Sequence, residues 1–310
     1  MAERIKVFAP ATVANVSCGF DVLGFAVAAP GDELELSTKA SSGIEITSIT
    51  GDGGKLPTDP DQNTASVSIQ RYLEAIGQEG KGFRLVLHKK MPLGSGMGSS
   101  AASAVAGVFA ANELLGQPLA TKELLPFAME GERLACGDAH ADNVAPSLLG
   151  GLVLIRSYKP LDVVKIPTGL SLYCTLLQPG IQVRTEDARA MLRRDLPMKK
   201  AVQQWGNLAG LVAGFMMDDP SLISRSMHDV VAEPIRSILI PGFAEAKQAA
   251  LEAGALGGSI SGSGPALFAL STEESTAQQA GEAMKEAFGA YNIRSHTFIS
   301  PINKQGPLVL

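Results

Sequence analysis

The residues best suited to chemistry lie in one short run, residues 91–103, with the sequence MPLGSGMGSSAAS. Glycines stand at positions 94, 96 and 98, and two serines follow. Because glycine has no Cβ, backbone N–H groups there can approach a ligand closely. A helix that begins at the end of such a run adds unpaired N–H groups and a positive dipole end. The run therefore predicts a phosphate-binding loop, although a Gly/Ser turn that only joins a strand tightly to a helix is the alternative.

The segments on either side of this run are suited to positioning it. Phe83, Leu85 and Leu87 alternate with polar residues, which predicts a strand before the loop. Residues 104–115 are apolar on nearly every side, which predicts a buried helix after it. The run is neither a Walker loop, which needs a lysine where Ser99 stands, nor a G-x-G-x-x-G dinucleotide loop, which needs a glycine there.

Two acidic residues are further candidates. Asp21 closes the segment 9–21, which mixes small residues with Asn15, although a surface loop with ordinary turn residues has the same composition. Glu132 falls on the apolar stripe of a helix predicted at 121–135. A buried carboxylate needs a partner or a metal, and Mg²⁺ bound to nucleotide phosphates takes one or two carboxylates. In the alternative, Glu132 lies at the helix end and pairs with Arg133 or reaches solvent.

Two more segments combine polar residues with glycine or apolar neighbours. His140, Asp142 and Asn143 predict a functional loop, with a structural role equally open. Residues 257–265, GGSISGSGP, form a second Gly/Ser loop or simply a tight turn. Arginines could bind a carboxylate through two parallel hydrogen bonds or lie on solvated faces. The ones considered are Arg184, Arg189 and Arg236.

Composition excludes several classes of protein. The 310 residues are enough for two domains, or one large one, and 45% are hydrophobic. No apolar run reaches the roughly 20 residues that a membrane span needs, and the first residues show no secretory signal. Three cysteines are too few and too scattered for a disulfide framework or a zinc site. A net charge of −5 and 5% aromatic residues give little support for nucleic-acid binding. We expect a cytoplasmic protein without membrane or nucleic-acid partners.

Segments with strand-like periodicity and segments with helix-like periodicity alternate irregularly along the chain, which predicts an α+β protein. The most plausible domain boundary is 157–169, which contains two prolines. Strands are predicted at 5–8, 34–37, 44–47, 83–87, 152–155, 172–177, 267–270 and 295–299. Helices are predicted at 66–76, 104–115, 121–135, 186–194, 199–216, 242–253 and 276–288.

Taken together and in order, residues 9–21, 92–103 and 257–265 resemble the three motifs of the galactokinase, homoserine kinase, mevalonate kinase and phosphomevalonate kinase (GHMP) superfamily. Residues 15–24 and 140–146 resemble the branch that phosphorylates homoserine. The resemblance spans nearly the whole chain. It implies an ATP-binding domain, 1–157, with an unusual left-handed βαβ unit, and a ferredoxin-like domain, 158–310, that completes the substrate site.

The resemblance also implies residue roles. Mg²⁺ would be held by Ser100, or its neighbour Ser99, and by Glu132, while Asn63 would lie near the nucleotide base. The loop around the ATP triphosphate would comprise Pro92, Leu93, Gly94, Ser95, Gly96, Met97, Gly98, Ser99, Ser100, Ala101 and Ala102. The L-homoserine pocket would comprise Asn15, Asp21, His140, Asp142, Arg189, Arg236, Ser261 and Gly262.

The implied reaction is transfer of phosphate from ATP to the side-chain hydroxyl of L-homoserine, in threonine biosynthesis, with Ser100, Glu132 and Asn143 as catalytic residues. Asn143 stands where the mevalonate and galactose kinases have a candidate base Asp, so the hydroxyl proton can pass directly to a γ-phosphate oxygen. Two alternatives remain open: another small-molecule kinase of the superfamily, for mevalonate, shikimate or a sugar, and a non-catalytic metabolite sensor. A homodimer is also compatible with the resemblance.

Overall fold

Two β-sheets organise the chain in the computed structural model, which describes residues 3–137, 140–193 and 195–310, without the side chain of Cys136. The strands are β1 (Arg4–Ala14), β2 (Leu23–Lys39), β3 (Gly43–Thr50), β4 (Gly82–His88), β5 (Leu152–Tyr158), β6 (Leu161–Ile166), β7 (Tyr173–Pro179), β8 (Gly257–Ile260), β9 (Leu267–Ser271), β10 (Ser295–Pro301) and β11 (Leu308–Val309). The helices are α1 (Thr64–Ala75), α2 (Ser99–Leu114), α3 (Leu125–Cys136), α4 (Ala141–Leu149), α5 (Thr185–Ala190), α6 (Met198–Met216), α7 (Pro220–Ser226), α8 (Glu233–Arg236), α9 (Phe243–Glu252) and α10 (Glu274–Gly289).

The first sheet is built around β2, a strand of 17 residues. It pairs with β1 along nearly its whole length, with β4 through residues 33–39 and with β5 through residues 23–25, all antiparallel. β3 lies parallel to β4, with α1 in the connection between them, so this unit is the βαβ crossover of the domain. The left hand that we expect for this crossover stays a prediction.

The helix that follows the glycine run is buried, as predicted. Thirteen of the sixteen residues of α2 are buried. It packs against the sheet strands β1 and β2 and against α1 and α3. A Cβ at Gly107 would lie 2.5 Å from the carbonyl oxygen of Ala65, so glycine here lets α1 and α2 approach closely. The start of α2 is therefore fixed relative to the sheet.

The second sheet has the strand order β10-β7-β9-β8, and every neighbouring pair is antiparallel. Helices α5 to α9 connect β7 to β8, and α10 connects β9 to β10. A β-α-β-β-α-β order with these neighbours is the ferredoxin-like arrangement, which confirms that expectation. Phe25 of β2 and Phe268 of β9 meet edge to face at 5.9 Å, so the two sheets share one apolar interface.

Several element predictions are wrong. Residues 140–146, predicted as a functional loop, instead begin helix α4 (Ala141–Leu149), with His140 as the N-cap residue. Pro146 suggests a break because it cannot donate to the carbonyl of Asp142. That carbonyl instead lies against Gly24, where a Cβ would come within 1.9 Å of its oxygen. Residues 257–260, predicted as part of a loop, form the buried strand β8. The short helices α7 and α8 were not predicted at all.

The predicted boundary segment 157–169 contains β6, which forms a hairpin with β5 and so extends the first sheet. The C-terminus also returns to that sheet, because β11 pairs with β1 and Ile302 bridges to Val27. We therefore propose that the domains divide at 167–172 rather than after residue 157, with residues 302–310 joining the first domain. In the described part of the chain, no helix has both the length and the apolar character needed to cross a membrane.

Candidate active site

A cavity of about 970 Å³ opens where the loop before α2 faces the second domain. Its walls come from the loop 93–98, the first turn of α2, α3, α4, the α5 region and the turn at Gly262. Ligand pockets usually measure about 300–1,000 Å³. The cavity is therefore large enough for a nucleotide beside a small second substrate.

The three glycines of the loop all adopt left-handed conformations, with φ values of 64° at Gly94, 82° at Gly96 and 70° at Gly98. Their surroundings differ. A Cβ at Gly94 would meet no atom within 4 Å, whereas one at Gly96 would lie 2.5 Å from the carbonyl oxygen of Ser261. A Cβ at Gly98 would lie 2.1 Å from the hydroxyl of Thr12. Gly94 thus leaves space at the cavity, while Gly96 and Gly98 allow close packing.

The carbonyl groups of the loop are held by other segments of the protein. The hydroxyl of Ser261 donates to the carbonyl of Gly96 at 2.7 Å. The backbone N–H of Thr12 donates to Met97 at 3.0 Å, and that of Ala266 donates to Ser95 at 3.0 Å. Since these carbonyls are bound on the protein side, the loop keeps a fixed shape at the edge of the cavity. Ser261, expected in the substrate pocket, is fully buried and supports the loop instead.

Most, but not all, of the expected triphosphate loop reaches the cavity. The loop residues that line it are Leu93, Gly94, Ser95, Gly96, Gly98, Ser99 and Ser100. Met97, Ala101 and Ala102 are instead fully buried in the core, and Pro92 is not part of the lining.

Asn63 is not at the cavity. Its side chain caps α1, accepting from Ala65 N at 3.1 Å and donating to the Pro57 carbonyl at 3.0 Å. Its chain neighbour Thr64 lines the cavity in its place.

Glu132 lies where the helical stripe predicts, buried and on the wall of the same cavity as Ser99 and Ser100. Arg133 instead pairs with Glu130 at 3.1 Å, so the proposed surface pair with Glu132 does not form. No group of three His, Cys, Asp or Glu side chains in residues 3–137, 140–193 and 195–310 could hold a metal by itself. Mg²⁺ at phosphates needs only one or two carboxylates, with substrate oxygens as further ligands. One carboxylate and one serine hydroxyl fit that requirement.

Opposite charges meet on the side of the cavity near the second domain. The guanidinium of Arg189 donates to both carboxylate oxygens of Asp21, at 3.2 and 3.3 Å. Asn15 fixes this corner, because it accepts from the backbone N–H of Asp21 at 3.0 Å and donates to the carbonyl of Gly262 at 2.8 Å. Tyr158, which sequence reasoning missed, donates to the carbonyl of Asp21 at 2.8 Å.

Arg236 supplies a second cation and is almost completely buried. It donates to the carbonyls of Ala188 and Gly262 at 3.2 and 3.1 Å. The ring of Phe20 lies 5.0 Å from the guanidinium of Arg236 and 5.9 Å from that of Arg189. Phe20 therefore faces both cations, a role that no sequence pattern indicates. Arg184, the third arginine considered, is exposed at the cavity rim and pairs with Glu186 at 2.7 Å.

His140, Asp142 and Asn143 also line the cavity, at the start of α4. The carboxamide oxygen of Asn143 accepts from the hydroxyl of Thr12 at 2.7 Å, next to Gly98. Burial raises the pKa of Asp142 to about 7, and the negative charges of Asp21 and Glu132 add to that shift. Helix α4 thus places a carboxyl group that titrates near neutral pH beside the loop.

Two family models and many known proteins match this chain. Residues 63–151 match the family model for the GHMP kinases N terminal domain, and residues 210–290 match the model for the GHMP kinases C terminal domain. A homoserine kinase of Chlorobium phaeobacteroides is 53% identical over 99% of this chain and all of its own length. The crystal structure of a homoserine kinase from Cytophaga hutchinsonii superposes with a TM-score of 0.97, 62% identity, and coverage of 100% of this chain and 98% of its own. A mevalonate kinase from L. major, 16% identical with a TM-score of 0.72, covers 96% and 95% of the two chains and shares the fold.

The open surroundings of Gly94 generate a test of the loop. We expect Gly94→Val to weaken ATP binding by at least tenfold, because the new side chain occupies space that phosphate needs. The left-handed backbone adds a stability cost of about 1–2 kcal/mol. Isothermal titration calorimetry with ATP and urea unfolding measure the two effects. Gly77→Val is the matched control, since Gly77 has a φ of 65° and open surroundings away from the cavity. Equal ATP affinity in both variants would contradict a phosphate-binding role.

The raised pKa of Asp142 generates a test of stability against pH. With its pKa raised from 3.8 to about 7, the native state binds a proton that the unfolded state has lost between these two values. The native protein therefore loses stability as pH rises through this window. We expect Asp142→Asn to be more stable than the parent, with a gain that grows from about pH 4 to pH 7 and is constant above. Urea unfolding at pH 5, 7 and 8.5 measures it, with the exposed Asp195→Asn as control. A variant that is less stable at every pH would show that the charged carboxylate is well compensated.

Proposed function

Because this chain belongs to the GHMP kinase family, we propose that it is a homoserine kinase, which transfers the γ-phosphate of ATP to the side-chain hydroxyl of L-homoserine. Homoserine kinases of 53% and 54% identity that match it over their full length support this assignment. The product would be O-phospho-L-homoserine, for threonine biosynthesis.

One observation carries the choice of substrate: the cavity beside the phosphate loop holds charges of both signs. Asp21 and Asp142 are carboxyl groups, and Arg189 and Arg236 are cations, all on the cavity wall. An amino-acid zwitterion needs a partner for its ammonium and another for its carboxylate. Mevalonate or shikimate, which carries only a carboxylate, needs cations alone, so the two acids favour an amino acid.

Phosphoryl transfer requires positioning and charge stabilisation more than covalent help from the protein. The N–H groups of the loop and the N-terminus of α2 would stabilise charge that develops on the transferred phosphate. The carboxamide oxygen of Asn143 accepts from Thr12, and its NH₂ group would donate to the substrate hydroxyl. A carboxamide is not a base, so the hydroxyl proton would pass to a γ-phosphate oxygen.

Mg²⁺ is the metal that these residues would hold, through Glu132 and the hydroxyl of Ser100 or Ser99. When bound, it would neutralise charge on the β- and γ-phosphates. A homodimer and a cytoplasmic location stay predictions.

An ADP-release assay tests the proposed substrate. We expect homoserine to be phosphorylated at least roughly 30-fold more efficiently than 4-hydroxybutyrate, which lacks the ammonium, or 3-aminopropan-1-ol, which lacks the carboxylate. An unpaired buried charge costs about 2–5 kcal/mol, and roughly 2 kcal/mol corresponds to a 30-fold loss. Mevalonate should be a poor substrate for the same reason as 4-hydroxybutyrate. If mevalonate were phosphorylated as efficiently as homoserine, the protein would still be a kinase, but the assignment as a homoserine kinase would be wrong.

In the same assay, Arg236→Ala identifies the carboxylate partner. It should raise the Michaelis constant for homoserine by roughly 30-fold, as expected for an unpaired buried charge. It should change the Michaelis constant for ATP by less than about threefold. Arg225→Ala, on the exposed surface of α7, is the control and should change neither.

The metal role of Glu132 is tested by Glu132→Gln. We expect a fall in kcat of about 10²-fold or more, which is typical when one electrostatic contact to the transition state is lost, and a higher Mg²⁺ concentration for half-maximal rate. Glu130→Gln changes the same side chain two residues away, where it pairs with Arg133 outside the cavity lining. A Glu132→Gln enzyme as active as Glu130→Gln, with unchanged Mg²⁺ dependence, would remove Glu132 from the metal site.

A further inference from the structure

A buried lysine lies directly beneath the phosphate loop, with no role in the reaction described above. Lys89 follows β4, and its side chain is 1% exposed. Its ammonium group donates to the carboxylate of Asp32, to the carbonyl of Ser99 at 2.8 Å and to the hydroxyl of Ser103 at 2.7 Å. Lys89 and Ser103 both contribute to the cavity wall. The lysine thus joins β2 to the first turn of α2.

Asp32, its partner, is completely buried and holds the opposite end of the loop. One carboxylate oxygen accepts from the backbone N–H groups of Lys90 and Met91, at 2.8 and 3.1 Å. The other accepts from the hydroxyl of Ser99 at 2.9 Å. The two charged residues therefore fix the chain where it enters the loop, at 90–91, and where it leaves, at 99–103.

Stability alone is a weak reason for such a pair. Replacing a buried ion pair by apolar side chains of similar volume is often neutral or stabilising. An ammonium group at the N-terminus of a helix also opposes the helix dipole. Burial lowers the pKa of Lys89, while Asp32 and, more weakly, Glu132 act in the opposite direction. The lysine is therefore in electrostatic contact with the carboxylate that faces the cavity.

We propose that Lys89 and Asp32 are positioning residues for nucleotide binding, which hold the loop 90–98 and the first turn of α2 in the shape that presents their N–H groups to ATP. A loop fixed before the ligand arrives loses less conformational freedom on binding, which increases affinity. The inference rests on the proposed function, since it takes ATP as the ligand of the loop.

The test separates positioning from stability with a double-mutant cycle on the whole chain. Lys89→Met, Asp32→Asn and the double variant are compared in thermal unfolding, in ATP binding by calorimetry, and in the Michaelis constant for homoserine at saturating ATP. Each single variant should bind ATP at least tenfold more weakly and unfold at a lower temperature. The double variant should regain much of its thermal stability and still bind ATP at least tenfold more weakly. The Michaelis constant for homoserine should change by less than about threefold. A double variant that recovers both stability and ATP affinity would overturn the inference.

Ser103→Ala tests the same network without exposing a buried charge, should the single variants fail to fold. It removes one acceptor of the Lys89 ammonium and should weaken ATP binding by about tenfold. Ser68→Ala is the matched control: this buried hydroxyl donates to Ala65 and to Ala104 of α2 at 2.8 Å, outside the cavity lining. Equal ATP affinity in the two serine variants would contradict a positioning role. If the parent protein itself bound no ATP, that result would contradict the proposed function, on which this inference rests. Loss of ATP binding only in the variants would concern the inference.

Discussion

The site depends on one constraint: a loop that binds phosphate must keep its N–H groups available, so its carbonyl groups need partners elsewhere. In this protein three consecutive carbonyls, at 95, 96 and 97, accept from Ala266, Ser261 and Thr12. Two of these donors belong to the segment between β8 and β9 of the second domain and one belongs to β1. The shape of the loop therefore depends on contacts from both domains.

The charges in the cavity follow a related logic. Asp21 and Arg189 neutralise each other, so neither is left as an isolated charge beside Phe20. A zwitterionic substrate can replace the Asp21–Arg189 ion pair by two new ion pairs. Its carboxylate would pair with the arginines and its ammonium with the acidic residues. Asp142 is buried and, with a pKa of about 7, is partly neutral at physiological pH. An arriving ammonium would favour its charged form, so substrate binding and ionisation of this carboxyl group reinforce each other.

Local sequence patterns predicted the elements whose structure is decided by residues close to them in sequence. The strand before the loop, the buried helix after it and the inward position of Glu132 all follow from periodicity over a few residues. Patterns failed where distant contacts decide. Helix α4 forms despite Pro146, and the carbonyl of Asp142 lies against the distant Gly24. Asn63, which the resemblance places near the nucleotide base, caps α1 through Ala65 and Pro57, and its role at the nucleotide stays a prediction. Lys89 would ordinarily be assigned to the solvent, and only the distant Asp32 explains its burial.

The glycines of the loop meet two different requirements, which are space for a ligand and close packing against other segments. Gly94 has no atom near its missing side chain, as expected of a residue that makes room for a ligand. Gly96 and Gly98 instead lie against Ser261 and Thr12, and Thr12 in turn orients Asn143. A side chain at Gly96 would therefore push the loop away from the second domain, and one at Gly98 would push it away from Thr12 and Asn143. The glycine spacing that suggests phosphate binding is thus equally a packing requirement, because Gly96 lies against backbone of the second domain and Gly98 lies against the side chains of Thr12 and Asn143.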